Sequence, residues 1–163
     1  MKQKDCNDYS LFLALGSNLG ERERIIEKAY ELIEEQIGII HSKSAFFYST
    51  PVDFISDNNF VNSVCEVITN LNIYDAFSAT QNIEYQLGRM GKSKNLVYSD
   101  RFIDIDLILA GDLIINNENL IIPHPRFHHR NFVLLPLFEI APDVLHPILK
   151  KSIRELKFDF DQI

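Results

Sequence analysis

The chain has 163 residues, of which 46% are hydrophobic and 24% are charged, and its net charge is −7 at pH 7. This length and composition predict a single domain over residues 1–163, with ample apolar side chains for a core. The negative charge argues against non-specific binding to nucleic acid or an anionic membrane, so a polyanionic ligand would have to meet local cations or a metal ion.

The first part of the chain predicts a strand, a turn and a helix. Residues 11–15 form a short, continuous apolar run that is typical of a buried strand. A glycine-containing turn at 16–20 follows, and residues 25–33 carry apolar side chains at helical spacing. The turn matches neither the dinucleotide-binding pattern nor a Walker A loop, so a structural turn is favoured over a phosphate cradle.

Two β-like segments come next. Residues 39–50 favour a strand, and Pro51 should end its pairing. Residues 60–68 form the second β-like run and contain Asn62. Local evidence favours an Asn62 amide that closes a turn with its neighbours; the alternative is that it offers its donors and acceptor to a flat heterocycle.

A helix to about residue 87 should begin at a capping box, Asn72-Ile-Tyr-Asp75. Gln81 and Glu84 are three positions apart and therefore share one side of this helix. Such a pair is either solvated surface or a polar face that orients a ligand.

A polar loop over residues 89–99 follows the helix, with cations at Arg89, Lys92 and Lys94. Residues 88–93, where this loop starts, end in Gly-Lys-Ser, as a Walker A motif does. However, the first glycine of that motif would fall on Gln86, so the motif is rejected. A loop of this kind in a compact domain is expected to be a lid or disordered.

From residue 102 the pattern is that of a strand, in which side chains alternate between two faces. One face should carry the apolar residues Ile103, Ile105, Leu107 and Leu109. Asp104 and Asp106 should share the other face, where they could bind Mg²⁺ together with substrate phosphates. Arg101 at the strand mouth has the geometry to bind phosphate. An edge strand with a solvated polar face is the alternative.

Gly111 and Asp112 predict a tight turn and a hairpin into residues 113–115. Residues 124–130 contain two arginines and three histidines, which favours phosphate contact. Zinc is disfavoured, because Pro125 separates His124 from His128 and no cysteine or glutamate completes a ligand set. Residues 132–140 predict an apolar helix, and residues 150–163 a surface helix.

Phosphoryl transfer needs mainly positioning and charge neutralisation. The sequence offers parts for both: a carboxylate pair, two cationic segments, a Gln/Glu face and an aromatic/Asn set. Six motifs occur in order between about residues 11 and 148: Leu-Gly-Ser-Asn, Phe-Tyr-Ser-Thr-Pro, Asn-Phe-Val-Asn-Ser, Gln-x-x-Glu-x-x-x-Gly-Arg, Arg-x-x-Asp-x-Asp-Leu-Ile-Leu, and Pro-His-Pro-Arg with Arg-x-Phe-Val-Leu-x-Pro-Leu. Together they resemble the 6-hydroxymethyl-7,8-dihydropterin pyrophosphokinases of folate synthesis.

This resemblance implies an α/β (α+β) ferredoxin-like sandwich with a mostly antiparallel central sheet flanked by helices. It implies transfer of pyrophosphate from ATP to the pterin hydroxymethyl group, with two Mg²⁺ ions bound by Asp104 and Asp106. The implied catalytic residues are Arg89, Arg101, Asp104 and Asp106. The implied ATP-binding residues are Gln81, Glu84, Arg89, Arg101, Leu107, His124 and Arg130. The implied pterin-binding residues are Gly16, Thr50, Pro51, Phe60, Asn62, Tyr98 and Phe132.

The chain departs from the family pattern in its loop. Gly91 stands where some members have a second loop arginine, Asp100 replaces a usual proline, and the loop before Arg101 is about two residues longer than in the enterobacterial form. Two other functions compete: a Mg²⁺-dependent hydrolase or nuclease, which the acidic charge and aromatic pocket disfavour, and a non-catalytic ligand-binding module, which Arg101 beside the aspartates disfavours.

The expected partners are ATP and the pterin, with no nucleic acid and no membrane. We expect a monomer that can associate with other enzymes of the folate pathway. Cys6 and Cys65 show no metal spacing, residues 1–10 lack the apolar segment of a secretory signal, and no apolar run reaches membrane-spanning length. The cytoplasm is therefore the expected location.

Overall fold

The computed structural model describes residues 7–51, 55–88 and 100–163. The chain forms, in order, β1 (Tyr9–Ser17), α1 (Arg22–Gln36), β2 (Ile39–Lys43), β3 (Phe47–Ser49), β4 (Phe60–Thr69), α2 (Ile73–Gln86), β5 (Asp104–Ala110), β6 (Ile115–Asn116), β7 (Ile121–Ile122), a 3₁₀ turn (Phe127–His129), α3 (Asn131–Ile140) and α4 (Ile153–Asp161). Within these ranges, no helix is both long and apolar enough to cross a bilayer.

The first apolar run becomes the central strand of the main sheet. The strand order is β2-β4-β1-β5, β3 also pairs with β4, and every pair is antiparallel. A strand in this position is covered on both faces, which explains why its apolar run is continuous. With α1 and α2 as the crossover helices, this order is that of the predicted ferredoxin-like sandwich.

Helices cover both faces of the sheet and define two cores. Leu11, Leu13 and Leu15 of β1 lie in the core under α1 and α2. Phe12 and Ala14 lie in the core under α3 and α4. The predicted surface helix near the C-terminus is α4, and it buries one side against this second core.

The alternation predicted along β5 holds only as far as Leu107. The register with β1 shifts so that Phe12 pairs with Leu109 and Leu13 with Leu107, which leaves Ile108 as an extra residue. Such a bulge reverses the order of faces beyond it. Leu109 therefore packs with Phe12 in the core under α3 and α4, and the prediction that it shares a face with Leu107 is wrong.

The hairpin predicted after β5 is also wrong. Gly111 does form a turn, with φ of +54°. However, the segment beyond it pairs as β6 with β7 in a separate two-stranded ribbon. The outer edge of β5 is met instead by the backbone at His124, whose N–H donates to the Ile108 carbonyl oxygen at 3.0 Å.

Two local predictions need refinement. The β-like run at 39–50 is divided into β2 and β3, and between them the Ser44 hydroxyl accepts the Val64 N–H at 2.9 Å. Asn72 caps α2 as predicted, but its side chain accepts from the N–H of Tyr74, at 2.9 Å, instead of the N–H of Asp75.

Candidate active site

The floor of the site is a row of paired residues that crosses three strands. Gly16 of β1 pairs with Asn62 of β4 on one side and with Asp104 of β5 on the other. Two positions earlier on β1, Ala14 pairs with Asp106. Because directly paired residues point to the same face of a sheet, the three polar side chains rise together on the α3 face. Glycine and alanine leave the space above the central strand open.

A cleft with a cavity volume of about 80 Å³ lies above this floor. It brings together predicted residues from both substrate sets: Gly16, Thr50, Phe60, Asn62, Arg101, Asp104, Asp106, Arg130 and Phe132. The aromatic and amide side chains predicted to bind one substrate therefore share a cleft with the carboxylates and arginines predicted to bind the other.

Three other predicted residues are described by the structure but do not line the cleft. Glu84 is buried on α2, with 7% of its surface exposed, and its charge acts on Asp106. His124 is half-buried and acts electrostatically with Asp104. Gln81 is exposed on α2.

Four further predicted residues remain outside these two groups. Leu107 packs its side chain in the core under α1 and α2, on the sheet face opposite the cleft. Pro51 is half-buried and follows Thr50 at the cleft wall. Arg89 and Tyr98, with the whole loop 89–99 that was predicted as a lid, lie outside the described residues.

The carboxylate pair stands in an environment that penalises its negative charge. Burial and, after it, the carboxylates of Asp104 and Glu84 together raise the pKa of Asp106 to about 8, against the opposing effect of Arg130 and Arg101. Arg101 pairs with the other carboxylate, with 3.2 Å between its Nη1 and Oδ2 of Asp104. A bound cation would relieve the repulsion between the two aspartates.

These donors suit Mg²⁺. Both are hard carboxylate oxygens, and Mg²⁺ is usually held by one or two carboxylates with water and substrate phosphates completing the shell. Within residues 7–51, 55–88 and 100–163, no group of three or more His, Cys, Asp or Glu side chains is placed to hold a metal ion. An ion here would therefore need ligands from the substrate or water.

His124 contributes hydrogen bonding instead of positive charge. Burial and, after it, the charges of Arg130 and Arg126 together lower the pKa of His124 to about 4. Its Nδ1 accepts the Arg126 N–H at 3.2 Å, so the neutral ring carries its proton on Nε2 and can donate it to a ligand.

The Asn62 amide is held in one orientation. Its Nδ2 donates to the Phe47 carbonyl at 3.0 Å and to the Ser49 hydroxyl at 2.7 Å. Since a carbonyl can only accept, the amide nitrogen must face β3. The amide oxygen then lies above Gly16, 3.3 Å from where a Cβ on that glycine would stand. The local turn that the sequence favoured is wrong, because both partners lie on another strand, 13 and 15 positions away.

Sequence reasoning missed one polar cluster beside the site. Asn18, Asn58 and Asp100 form hydrogen bonds next to Arg101. The available signals were the asparagine that ends the Leu-Gly-Ser-Asn motif and the unusual residue before Arg101. Neither signal reveals that these segments meet.

Asp106→Asn should make the metal-free protein more stable at neutral pH. Folding raises the pKa of this carboxyl from its ordinary 3.8 to about 8, so the folded state retains a proton that the unfolded chain releases. The stability linked to that proton is fully present below pH 4 and is lost as the pH rises through 8. Asparagine removes this dependence.

Thermal unfolding in EDTA between pH 5 and 8.5 measures the effect. The Tm of the unmodified chain should fall with rising pH more steeply than that of Asp106→Asn. Asp112→Asn, at an exposed turn position beyond β5, is the matched control and should follow the unmodified chain. Identical slopes for all three proteins would contradict the prediction.

Comparison with known proteins identifies a family model, 7,8-dihydro-6-hydroxymethylpterin-pyrophosphokinase (HPPK), that matches residues 12–142. The 2-amino-4-hydroxy-6-hydroxymethyldihydropteridine pyrophosphokinase of Porphyromonas gingivalis is 38% identical over 84% of this chain and 93% of its own length. The enzyme of the same name from Bacillus subtilis is 37% identical over 82% of this chain and 78% of its own length.

Longer proteins also match. The folic acid synthesis protein FOL1 of Dictyostelium discoideum is 37% identical over 91% of this chain, which spans 22% of that relative. The wild-type HPPK-DHPS crystal structure from Plasmodium falciparum superposes with a TM-score of 0.75 at 16% identity, over 96% of this chain and 45% of that one. At this identity the structural likeness shows a common fold.

Proposed function

The chain belongs to the 7,8-dihydro-6-hydroxymethylpterin-pyrophosphokinase family, and from this premise we propose how its cleft transfers pyrophosphate from ATP to 6-hydroxymethyl-7,8-dihydropterin. The reaction gives AMP and the pterin diphosphate, as a step of folate biosynthesis. The observation that supports the proposal is the row Asn62–Gly16–Asp104, in which an amide and a carboxylate lie on either side of a glycine.

The pterin occupies the β4 side of the row. The Asn62 oxygen accepts an N–H of the ring, because both hydrogens of this amide are already donated to β3. Phe60 and Phe132 line the same cleft and provide the ring with apolar walls. Gly16 lets the flat ring approach the sheet closely, since any side chain there would meet Asn62 and Phe60.

The ATP phosphates occupy the β5 side. Asp104 and Asp106 would hold Mg²⁺, two ions in all, with the phosphates as further ligands. When bound, Mg²⁺ supplies charge neutralisation and polarises phosphoryl oxygens. Arg101 and Arg130 line the cleft beside the aspartates and neutralise the remaining phosphate charge. His124 donates from Nε2.

The chemical step is an in-line displacement at the β-phosphorus of ATP. The pterin hydroxymethyl group loses its proton to solvent, and its oxygen bonds to this phosphorus. The bond from the β-phosphorus to the oxygen that it shares with the α-phosphorus breaks, and AMP leaves with that oxygen. The protein contributes orientation and electrostatic stabilisation, which are the main sources of catalysis in phosphoryl transfer. Arg101 can stabilise the negative charge that develops on the transferred group. Its guanidinium lies at the cleft, 3.2 Å from Asp104.

Phosphorus NMR tests the proposal directly. The protein, ATP, Mg²⁺ and 6-hydroxymethyl-7,8-dihydropterin should yield AMP and a pterin diphosphate, and no turnover should occur when EDTA replaces Mg²⁺. ADP as the product would contradict pyrophosphate transfer. Pyrophosphate released without a pterin product would instead support a hydrolase.

Asn62→Ala should weaken binding of the pterin far more than binding of ATP. The variant loses the hydrogen bond to the ring, which costs about 1–3 kcal/mol when polar groups are left unpaired. The dissociation constant for the pterin should therefore rise about 5- to 150-fold, at 1.4 kcal/mol for each factor of ten.

Calorimetric titration of each ligand measures the two constants. Asn119→Ala, at an exposed position in the turn between β6 and β7, is the matched control and should change neither. Equal losses for pterin and ATP in Asn62→Ala would assign Asn62 a structural role in joining β3 to β4.

We also propose that the chain is a monomer that can associate with other enzymes of the folate pathway. The solved relatives carry HPPK together with DHPS in one chain, of which this chain spans less than half. Size-exclusion chromatography of the chain alone and with a DHPS protein tests both parts of this proposal.

A further inference from the structure

A buried asparagine holds the backbone of Arg101 from both sides. Asn18 is only 2% exposed. Its Oδ1 accepts the Arg101 N–H at 2.8 Å, and its own backbone N–H donates to the Arg101 carbonyl at 3.1 Å. This two-point contact fixes the peptide from which the guanidinium extends to Asp104.

Asp100 in turn fixes the asparagine. The Asn18 Nδ2 donates to Oδ1 of Asp100 at 2.7 Å and makes a longer contact, 3.3 Å, with the Asn58 carbonyl. The other carboxylate oxygen of Asp100 accepts from Nδ2 of Asn58 at 2.9 Å. Asp100 therefore bridges two asparagines with its two oxygens, and its contact is the shorter of the two that the Asn18 Nδ2 makes.

Asp100 remains charged in this position. Hydrogen bonds from Ser56, Asn58 and Asn18 lower the pKa of Asp100, with that from Ser56 the largest effect and partial burial opposing them. Hydrogen bonds to an ionised acceptor are about twice as strong as those between neutral groups. A neutral residue at position 100 would hold Asn18 less firmly.

The contacts join three segments of the chain. Asn18 directly follows β1, Asn58 precedes β4 and Phe60, and Asp100 precedes Arg101. The cluster thus links the segment that leads to Phe60, in the aromatic wall of the cleft, to the segment that leads to Arg101, beside the carboxylates. Arg22 adds a further contact to the middle segment, since its Nη1 donates to the Asn59 carbonyl at 2.7 Å.

We propose that Asp100 is a positioning residue for pyrophosphate transfer, which acts by orienting Asn18 so that Asn18 fixes the backbone of Arg101 beside Asp104. The inference rests on the proposed role of Arg101 in the transfer. Catalysis by positioning is sensitive to small displacements, and a shift of about 1 Å can cost 100-fold in rate.

Asp100→Ala should lower kcat about 10- to 100-fold, while the KM values for ATP and pterin change less than about threefold. Asp100→Asn keeps one acceptor oxygen for Asn18 and should recover part of the loss. Asp57→Ala removes an exposed carboxylate from the same segment as Asn58 and is the matched control, with unchanged kcat. A KM increase with unchanged kcat in Asp100→Ala would overturn the inference.

A double-mutant comparison tests whether Asp100 acts through Arg101. In an Arg101→Ala background, Asp100→Ala should lower kcat by less than a further factor of about two, because contacting residues are not additive. Full multiplication of the two losses would overturn the inference. Thermal unfolding of each variant checks folding, and Asp100→Asn serves for the comparison if Asp100→Ala does not fold.

The same data separate this inference from the proposed function. If Arg101→Ala loses kcat and Asp100→Ala does not, Arg101 keeps its role and only the positioning role of Asp100 is rejected. If Arg101→Ala keeps full kcat, the proposed role of Arg101 itself is rejected, and the inference is rejected with it.

Discussion

Asp106→Asn should lower kcat by about a thousandfold or more at saturating Mg²⁺ and leave the fold intact. Losing a ligand to a catalytic metal removes several kcal/mol of charge stabilisation, and each 1.36 kcal/mol is worth a factor of ten in rate. The amide has nearly the same size as the carboxyl, and burial already favours an uncharged group at this position. The loss should therefore lie in turnover and not in stability.

Asp104→Asn should behave in the same way, although it also removes the partner of Arg101. Steady-state turnover over a Mg²⁺ titration, with thermal unfolding of each variant, measures both properties. Asp112→Asn, beyond the end of β5, should retain full turnover. Near-normal turnover of either site variant at saturating Mg²⁺ would remove that aspartate from the proposed metal site.

Arg101→Ala should have the second-largest effect, a loss of about 100- to 1,000-fold in kcat, as for other donors that stabilise transition-state charge. The KM values for ATP and pterin should rise much less, because the contact of Arg101 strengthens as charge develops during transfer. Arg101→Lys should recover only part of the rate, since lysine retains the charge but not the planar fork.

Initial rates over both substrate concentrations separate kcat from KM. Arg24→Ala is the matched control, because that arginine lies on the surface of α1 with its side chain 70% exposed. A large rise in the KM for ATP at constant kcat would mean that Arg101 serves only to bind the ground state.

The alternation of side chains along a strand was enough to place Asp104 and Asp106 on one face, because that pattern depends on the strand itself. The same argument failed at Leu109. A bulge at Ile108 is a property of the pairing between β5 and β1, and the sequence of β5 alone contains no sign of it. The predicted hairpin after Gly111 failed for a similar reason, because β6 pairs with β7 and not with β5.

The chemistry of individual residues was harder to predict than their positions. The raised pKa of Asp106 combines burial with the charges of Asp104 and Glu84, and Glu84 comes from a different element. Asn62 could have closed a local turn until its contacts with β3 were known. In both cases the deciding partner is distant in the sequence.

The row of paired residues through Gly16 fixes the distance between Asn62 and Asp104. Neighbouring strands lie about 4.8 Å apart, so Asn62 and Asp104, one strand to either side of Gly16, are separated by about two such steps. Backbone hydrogen bonds set this span, and it does not depend on which apolar side chains fill the cores. Substitutions in both cores should therefore leave the gap between Asn62 and Asp104 unchanged. A slip of β1 by one residue, in contrast, would turn its small residues away from the cleft. The register of the central strand should thus be under stronger selection than most of the side chains around it.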